Sequence, residues 1–551
     1  MEFKKLFRRK SLDQILADSD SNPHGALAKN LKLRDLVAMG IAAVVGAGIF
    51  STIGKAAFSG GPGVVFLFII TAITCGFTAM CYAEFASRVP VAGSAYTYSY
   101  VAFGELPAWI IGWALILEYA IGNVVVAISW SSYFNNLLKG IGIHLPDWLT
   151  TGYNTADKLY QEAIAAKQPV VDLVWTTAPR IFGAIPLIIN LPAFIIVILI
   201  TILVYIGIQE SKRVANGMVF FKLIVLLLVI VVGCFYVNTD NWVPFSPNGF
   251  KGIMAGVSSV FFAYIGFDAI STTAEECENP QRDMPKAMLY SLLICTVLYI
   301  LTVLVLTGMV KYTEFKGVSD PLAYVFEKTN LKTLNYIISL SAVVATTGVL
   351  LVFQLGQPRI WMGMSRDGLL PKQFSRIHPK YQTPAFATIV TGFIVAIPSL
   401  FMDDVLVTDL SSIGTLFAFV LVSGGVLMLP KDHNPTKKFK MPHIDATFIL
   451  PFLTTMFISY FRNDILNVMN HFGKVEYKEY LFLVFVILAI IITIFTILKK
   501  WNLIPVLGVL CCLYLMIEIP VKSWAVFFGW MLLGLSIYFG YSFKRSALAD
   551  K

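Results

Sequence analysis

The chain of 551 residues is short of charge: only 14% of its side chains are Asp, Glu, Lys or Arg, while 57% are hydrophobic and the mean hydropathy is +0.74. Soluble globular proteins carry about 25% charged residues, so this composition cannot cover a water-facing surface. It describes a polytopic membrane protein. Histidine is scarce as well: His24, His144, His378, His433, His443 and His471 all fall outside the apolar runs and show no metal-ligand spacing. The seven cysteines (Cys75, Cys81, Cys234, Cys277, Cys295, Cys511 and Cys512) sit in or at the ends of apolar runs and read as reduced packing residues, without a zinc or disulfide pattern. There is no phosphate-cradling glycine loop with its lysine and no soluble stretch large enough for a nucleotide-binding domain. ATP-driven transport by this chain, an enzyme activity and a bound cofactor or metal are therefore not expected.

What charge there is has a pattern. Lys and Arg exceed Asp and Glu by 42 to 33, a net charge of +9. In a membrane protein such an excess reflects basic loops beside anionic lipid rather than nucleic-acid binding. The N-terminal stretch MEFKKLFRRKSLDQILADSD lacks a continuous apolar core, unlike a cleaved signal peptide, and is expected to stay in the cytoplasm as a short helix on the membrane surface.

Fourteen apolar runs follow: 36–56, 63–86, 106–137, 188–208, 214–237, 253–274, 288–310, 334–363, 385–401, 408–429, 446–461, 480–498, 502–519 and 523–543, here spans 1 to 14. With the N-terminus inside, Lys and Arg favour the inner loops by roughly two to one, which supports that orientation. Arg462, Lys474 and Lys478, in the loop after span 11, run against it. The longest hydrophilic connection, 138–187, lies between spans 3 and 4 and includes a stretch fit for a short surface helix. A transporter of two six-helix halves would carry its long loop in mid-chain, so that architecture is disfavoured. The expected organisation is a cytoplasmic tail (1–34), a core of spans 1 to 10 (35–430), accessory helices (431–543) and a second cytoplasmic tail (544–551).

Two spans are interrupted. Span 1 carries Gly46-Ala47-Gly48 at its centre, and span 6 carries Gly266 and the ionisable Asp268 deep in an apolar run. In hydrocarbon, freed backbone groups survive only where protein or a cavity satisfies them. Breaks at the first span of each of two five-span halves match the binding sites of inverted-repeat transporters. Freed N–H groups at one half-helix start can hold a carboxylate and freed carbonyls at the other an ammonium, which makes a receptor for a zwitterion. The alternative for Gly46 and Gly48 is a packing notch for close helix approach.

Ionisable groups inside the spans are the other signal. Lys222 lies about nine residues into span 5, where a charged lysine costs about 2.5–3.5 kcal/mol on insertion scales. It is the candidate for proton coupling, against the alternative of a side chain that snorkels to the interface. Glu118 in span 3 either lines the substrate path or pairs with another helix. Asp268 is better placed to cap freed N–H groups than to touch substrate. Of the aromatics at the span 6 break, Phe262, Tyr264 and Phe267, the last is the candidate gate, against a lipid-facing or core role. The turn TTAEECENPQRDMPKAM after span 6 reads as a solvated loop.

Several stretches resemble one family: SLDQILADSD; VVGAGIFSTIG in span 1; YAEFASRVPVAGSAYTYSYVAFGELPAWIIGWALILEYAIG; FFAYIGFDAISTTAEECENPQRDMPKAM; LGQPRIWMGMSRDGLLPKQFSRIHPKYQTP; and SSIGTLFAFVLVSGGVLML. They are similar to the amino acid/polyamine/organocation (APC) transporter superfamily, and within it to the cationic amino acid transporter family, over about the first 430 residues. WNLIPVLGVLCCLYLMIEIP resembles a late family span. The resemblance implies an all-α fold with a ten-helix, 5+5 inverted-repeat, leucine-transporter-like core plus accessory helices, about fourteen transmembrane helices in all. It implies that Gly46, Ala47 and Gly48 offer N–H groups to an α-carboxylate, that carbonyls of Phe262, Ala263 and Ile265 accept the α-ammonium, and that Phe267 is an aromatic gate. Lys222 matches the span 5 lysine of proton-driven members, and Glu118 a family glutamate. The two additional spans at about 446–498 depart from twelve-span bacterial relatives and match fourteen-span animal ones. Ser51 and Lys55 depart from a more apolar run and bear on the outer vestibule.

The expected function is proton-coupled amino acid import across the plasma membrane by alternating access. Exchange without net proton movement is the alternative, and a membrane sensor a remote one. The partners are then an amino acid, a proton and membrane lipid, with neither nucleic acid nor an obligatory protein partner.

Overall fold

The computed structural model describes residues 6–9, 31–89, 94–181, 185–207, 211–318, 320–429, 439–471 and 476–548. Each apolar run becomes helix, because in hydrocarbon a segment must bond its own N–H and C=O groups. Eight helical stretches are long and apolar enough to cross a membrane, the first of which, Leu33–Arg88, holds spans 1 and 2. Shorter apolar helices supply span 4 (Leu191–Ile206), span 6, span 9 (Ala385–Phe401), span 11 (Ala446–Tyr460) and span 13 (Leu503–Ile517). The chain is thus an all-α polytopic membrane protein, with strand confined, among the described residues, to the hairpin Arg180–Ile181 with Ile185–Pro186 and isolated bridges.

Span 3 (Glu105–Gly140) and span 8 (Lys332–Arg366) are the central struts and pack along each other. The most apolar stretch of span 3 is 94% buried, against 28% for those of span 12 (Tyr477–Lys499) and span 14, so span 3 is enclosed by protein and the late spans face lipid. Small residues let the struts approach: Gly122 lies against Phe353 and Gly356 against Tyr119. A polar ladder crosses between them and on to span 4, from Asn123 Nδ2 to Gln354 Oε1 (3.1 Å) and from Gln354 Nε2 to Thr201 Oγ1 (2.8 Å). Accessory span 14 (Val521–Ile537, continuing to Arg545) clasps span 3 through indoles. Trp113 Nε1 donates to Trp530 O (2.8 Å), Trp530 Nε1 to Trp113 O (2.9 Å) and Trp109 Nε1 to Gly534 O (3.0 Å).

Both ends of the chain meet on one face. The Arg8 guanidinium donates to the fully buried Glu105 (3.3 Å) and to the carbonyls of Phe543 and Leu548, while Tyr100, Tyr538 and Ser546 hydroxyls donate to the same carboxylate. The long connection after span 3 does hold a surface helix, Tyr153–Ala165. A further helix, Ser94–Ala102, occupies the connection between spans 2 and 3. The segment SLDQILADSD and most of the basic run 430–443 lie outside the described residues. The seven cysteines are free, with Cys234 exposed and Cys511 partly so.

Candidate functional site

Span 1 is helical from Leu33 to Val44, leaves the helix at Val45 (ψ 89°), and resumes as a π-helical turn at Gly48–Thr52 and an α-helix over Ile53–Gly60. The break frees carbonyls at the end of the first half, and side chains from two other spans take them up. Lys222 Nζ, 1% exposed, donates to Ala42 O (2.8 Å) and Val45 O (2.7 Å). The Tyr299 hydroxyl, from span 7 (Pro280–Met309), lies 2.8 Å from Val44 O. The N–H groups of Gly46 and Ala47 have no hydrogen-bond partner among the described residues.

Span 6 breaks in the same way. Its helix Val257–Tyr264 ends at Ile265, Gly266 takes φ 119°, and a 3-10 segment continues over Phe267–Glu276. That φ is open to glycine and strained for other residues, and a Cβ at Gly266 would come within 2.9 Å of Ala43. Reciprocally, a Cβ at Gly48 would overlap the backbone of Ala263. Each break thus presses a glycine against an alanine of the other span, so the packing role of Gly48 is real and coexists with its place at the break.

A cavity lies between the breaks, lined by Ala43, Val44, Ala47, Gly48, Phe262 and Ile265 and closed by Val126, Val349 and Phe353 of the two struts. It encloses about 210 Å³ of non-atom space, with room for the centre of roughly one water (about 10 Å³), so this conformation is narrow. Its wall carries no charged side chain. Of the three carbonyls named for an ammonium, Phe262 O accepts from Ile265 N (3.2 Å) and Ala263 O from the Tyr299 hydroxyl (2.9 Å). Ile265 O has no backbone hydrogen bond among the described residues. One hydroxyl on span 7 therefore sits between carbonyls of both breaks, and its single proton serves one of them at a time.

Hydroxyls and ions tie the spans together towards the face opposite the termini. Thr52 Oγ1 lies 2.9 Å from both Gly48 O and Ser259 O, the Tyr133 hydroxyl donates to Phe50 O, and Ser412 Oγ donates to Ser258 O (2.9 Å). Beyond them Lys55 Nζ meets Asp404 Oδ2 of span 10 (Asp404–Met428) at 2.5 Å, and Lys158 of the surface helix meets Asp403 at 3.6 Å.

The remaining candidates stand apart from this cavity. Phe267 packs edge-on against Tyr82 and tilted against Phe419, with ring centroids 6.2 and 5.3 Å away, whereas Phe262, five residues earlier, lines the wall. Glu118 is buried and faces span 10, beside Gly414 and Thr415, and its Oε2 has no hydrogen-bond partner among the described residues. The carboxylate of Asp268 meets the backbone at Gly266, Asp268 and Ala269, which is a capping role. Sequence reasoning missed Tyr299, whose signal was a hydroxyl in the middle of the apolar run LLICTVLYILTVL. It also missed Val126, Val349 and Phe353, apolar residues in apolar helices, for which no local signal exists.

Comparison with known proteins agrees with this architecture. The family model described as "Amino acid permease" matches residues 31–473, and one described as "C-terminus of AA_permease" matches residues 503–546. The chain is 37% identical over 543 residues to a branched-chain amino acid permease of Bacillus subtilis, covering 98% of this chain and 99% of that one. It is 36% identical over 544 residues to a methylthioribose transporter of the same organism, with the same coverage. A vacuolar cationic amino acid transporter of Arabidopsis thaliana is 37% identical over 440 residues, 78% of this chain and 68% of the plant protein.

Proposed function

The chain belongs to the amino acid permease family, a group of membrane transporters and not of enzymes, and from that premise we propose that it imports small neutral, apolar amino acids by proton-coupled alternating access. The observation that carries the reading is the pair of facing breaks: unpartnered N–H groups at Gly46 and at Ala47, the latter on the wall of an uncharged, apolar cavity, and Ile265, whose carbonyl has no backbone bond, on the same wall from the other span. Such ends bind an α-carboxylate and an α-ammonium without a charged side chain. Val126, Phe262, Val349 and Phe353 then suit an aliphatic side chain better than a cationic one, since nothing acidic lines the wall.

Lys222 is the coupling residue in this proposal. Protonated, it makes charge-assisted bonds to Ala42 O and Val45 O and holds the first half of span 1 in place. Neutral, it makes weaker bonds, and the half-helix is freer to tilt. Substrate and proton thus act on the same break. The transport core is assigned to residues 35–430 and the accessory helices to 431–543, with both tails (1–34 and 544–551) in the cytoplasm and the protein in the cell membrane. The loop charge pattern supports that orientation.

The experiment is uptake into proteoliposomes under an imposed pH gradient, with labelled valine, alanine, arginine and methylthioribose, for wild type and Lys222→Ala. Valine or alanine uptake that follows the gradient, and a variant that has lost that dependence, are expected. Uptake that ignores the gradient but accelerates with amino acid loaded inside makes the protein an exchanger. Preference for arginine or methylthioribose overturns the substrate assignment.

A further inference from the structure

A second and larger void lies away from the breaks, among helices of the membrane-spanning set. It sits between span 2 (Val64–Arg88), span 11, span 12 and span 13 and encloses about 710 Å³ of non-atom space, more than three times that of the cavity beside the breaks. Leu453 of span 11 both lines it and is 38% exposed, so the void reaches the surface of these helices.

Its wall is almost wholly apolar. The threonine hydroxyls that reach it are already engaged: Thr74 Oγ1 donates to Ile70 O (3.0 Å), Thr454 and Thr493 pair at 2.9 Å, and Thr493 also donates to Ala489 O (2.7 Å). The rest is leucine, isoleucine, alanine, phenylalanine, the Cys511 thiol and Tyr514, whose hydroxyl is the one strong hydrogen-bonding group on the wall left without a bond among the described residues. An empty void of this size forfeits dispersion contacts all round its lining. The neighbouring outer surfaces, with Phe448 85%, Phe452 69% and Leu498 72% exposed, belong to helices that meet hydrocarbon and not water.

We propose that this void is a binding site for one acyl chain of a membrane phospholipid, inserted sideways from the bilayer between spans 11 and 12 and resting on span 2. The occupant is a hydrocarbon chain because the wall is apolar apart from two engaged threonine hydroxyls, one thiol and the Tyr514 hydroxyl. Span 2 gives the site a connection to the rest of the molecule. Ile70 and Thr74 face the void, while two residues before Ile70 the carbonyl of Phe68 accepts the Tyr264 hydroxyl (3.1 Å). The Phe68 ring also packs edge-on against Tyr299 at 5.9 Å. A chain in the void therefore backs the helix that supports both tyrosines at the breaks. This inference does not depend on what the transporter carries.

The test uses the full-length protein in proteoliposomes of phosphatidylcholine doped with phosphatidylcholine carrying a mid-chain diazirine. The protein is extracted into detergent, freed of loosely held lipid by gel filtration, photolysed, and its adducts mapped by peptide mass spectrometry. Adducts on Leu453, Leu507 and Cys511 are expected, at least tenfold above those on the exposed Phe448 and Leu498. They should fall at least fivefold in Ala489→Phe, which fills the void from span 12. Should that variant fail to fold, excess unlabelled phospholipid added to wild type before extraction must produce the same fall. Adducts spread equally over Phe448 and the cavity residues, or cavity adducts that neither the filled variant nor competition reduces, overturn the proposal. Adducts from a labelled peptide helix in place of the lipid probe would assign the void to a protein partner and equally overturn it.

Discussion

Lys222 donates to the carbonyl oxygen of Val45 across 2.7 Å, and through that bond an ionisable group on span 5 is attached to the point where span 1 stops being a helix. The same nitrogen reaches Ala42 O, so two carbonyls that the break deprived of helical partners depend on one side chain. Depth in the span makes the lysine legible in the sequence, and the broken span 1 is what it serves.

Tyr299→Phe removes the hydroxyl that lies between Val44 O and Ala263 O without changing the ring that packs on Phe68 and Tyr264. A buried carbonyl then loses its donor, at a cost of about 1–2 kcal/mol. Thermal unfolding in detergent should show a lower Tm, and valine binding should weaken several-fold because the two half-helix ends are no longer held in register. An unchanged Tm and affinity would mean that the carbonyls are satisfied in another way.

Gly48→Ala puts a methyl group into the Ala263 backbone and must push the two broken spans apart. Overpacking of this kind costs about 1–3 kcal/mol. The variant should reach the membrane yet lose substrate binding. Gly76→Ala in span 2, where no atom lies within 4 Å of the added Cβ, is the control: it should leave binding intact and gain up to about 1 kcal/mol of helix propensity. Equal behaviour of the two variants would sink the interlock.

The Lys55–Asp404 pair is only 26% and 23% exposed and joins the second half of span 1 to the start of span 10. A double-mutant cycle on Lys55→Ala and Asp404→Ala, read by thermal unfolding, should give a coupling energy of about 0.5–1.5 kcal/mol. Each single variant should also raise the accessibility of a cysteine placed at Ser259, below the Thr52 hydroxyl. A coupling of zero with unaltered labelling would leave the pair without a role in holding that face closed.

Asp320, in the connection before the short helix Pro321–Lys328, is raised from 3.8 to about 6 by burial, partly offset by the bond from Asn136 Nδ2 (2.8 Å). A raised carboxyl pKa means that the folded protein holds a proton the unfolded chain has lost between about pH 4 and 6, so stability falls as pH rises through that window and is level above it. Asp320→Asn keeps the shape without the charge. It should abolish that slope and stabilise the protein by about 1–2 kcal/mol at pH 7, after allowance for solvent screening. Unfolding curves from pH 4 to 8 that run parallel for the two proteins would refute this.

Much of this molecule is written in local pattern. The fourteen spans follow from hydropathy, because hydrocarbon leaves a backbone no alternative to helix. The two breaks follow from Gly46, Gly48, Gly266 and Asp268, residues that are anomalies where they stand, and so does Lys222. Such signals are local in cause and therefore visible in a string of letters. The cavity is not. Val126, Val349 and Phe353 differ in nothing from their apolar neighbours, and only the packing of spans 3 and 8 turns them inward. Phe262 and Phe267 flank one break with similar credentials, yet the loss of helical phase at Gly266 sends Phe262 to the cavity and Phe267 to Tyr82 and Phe419. Sequence alone determined that this is a many-helix membrane protein broken at two points, with a lysine placed deep in span 5. Tertiary structure alone decided which side chains meet at those points, because neighbours there come from spans hundreds of residues apart, and no periodicity along one helix specifies which face another will cover.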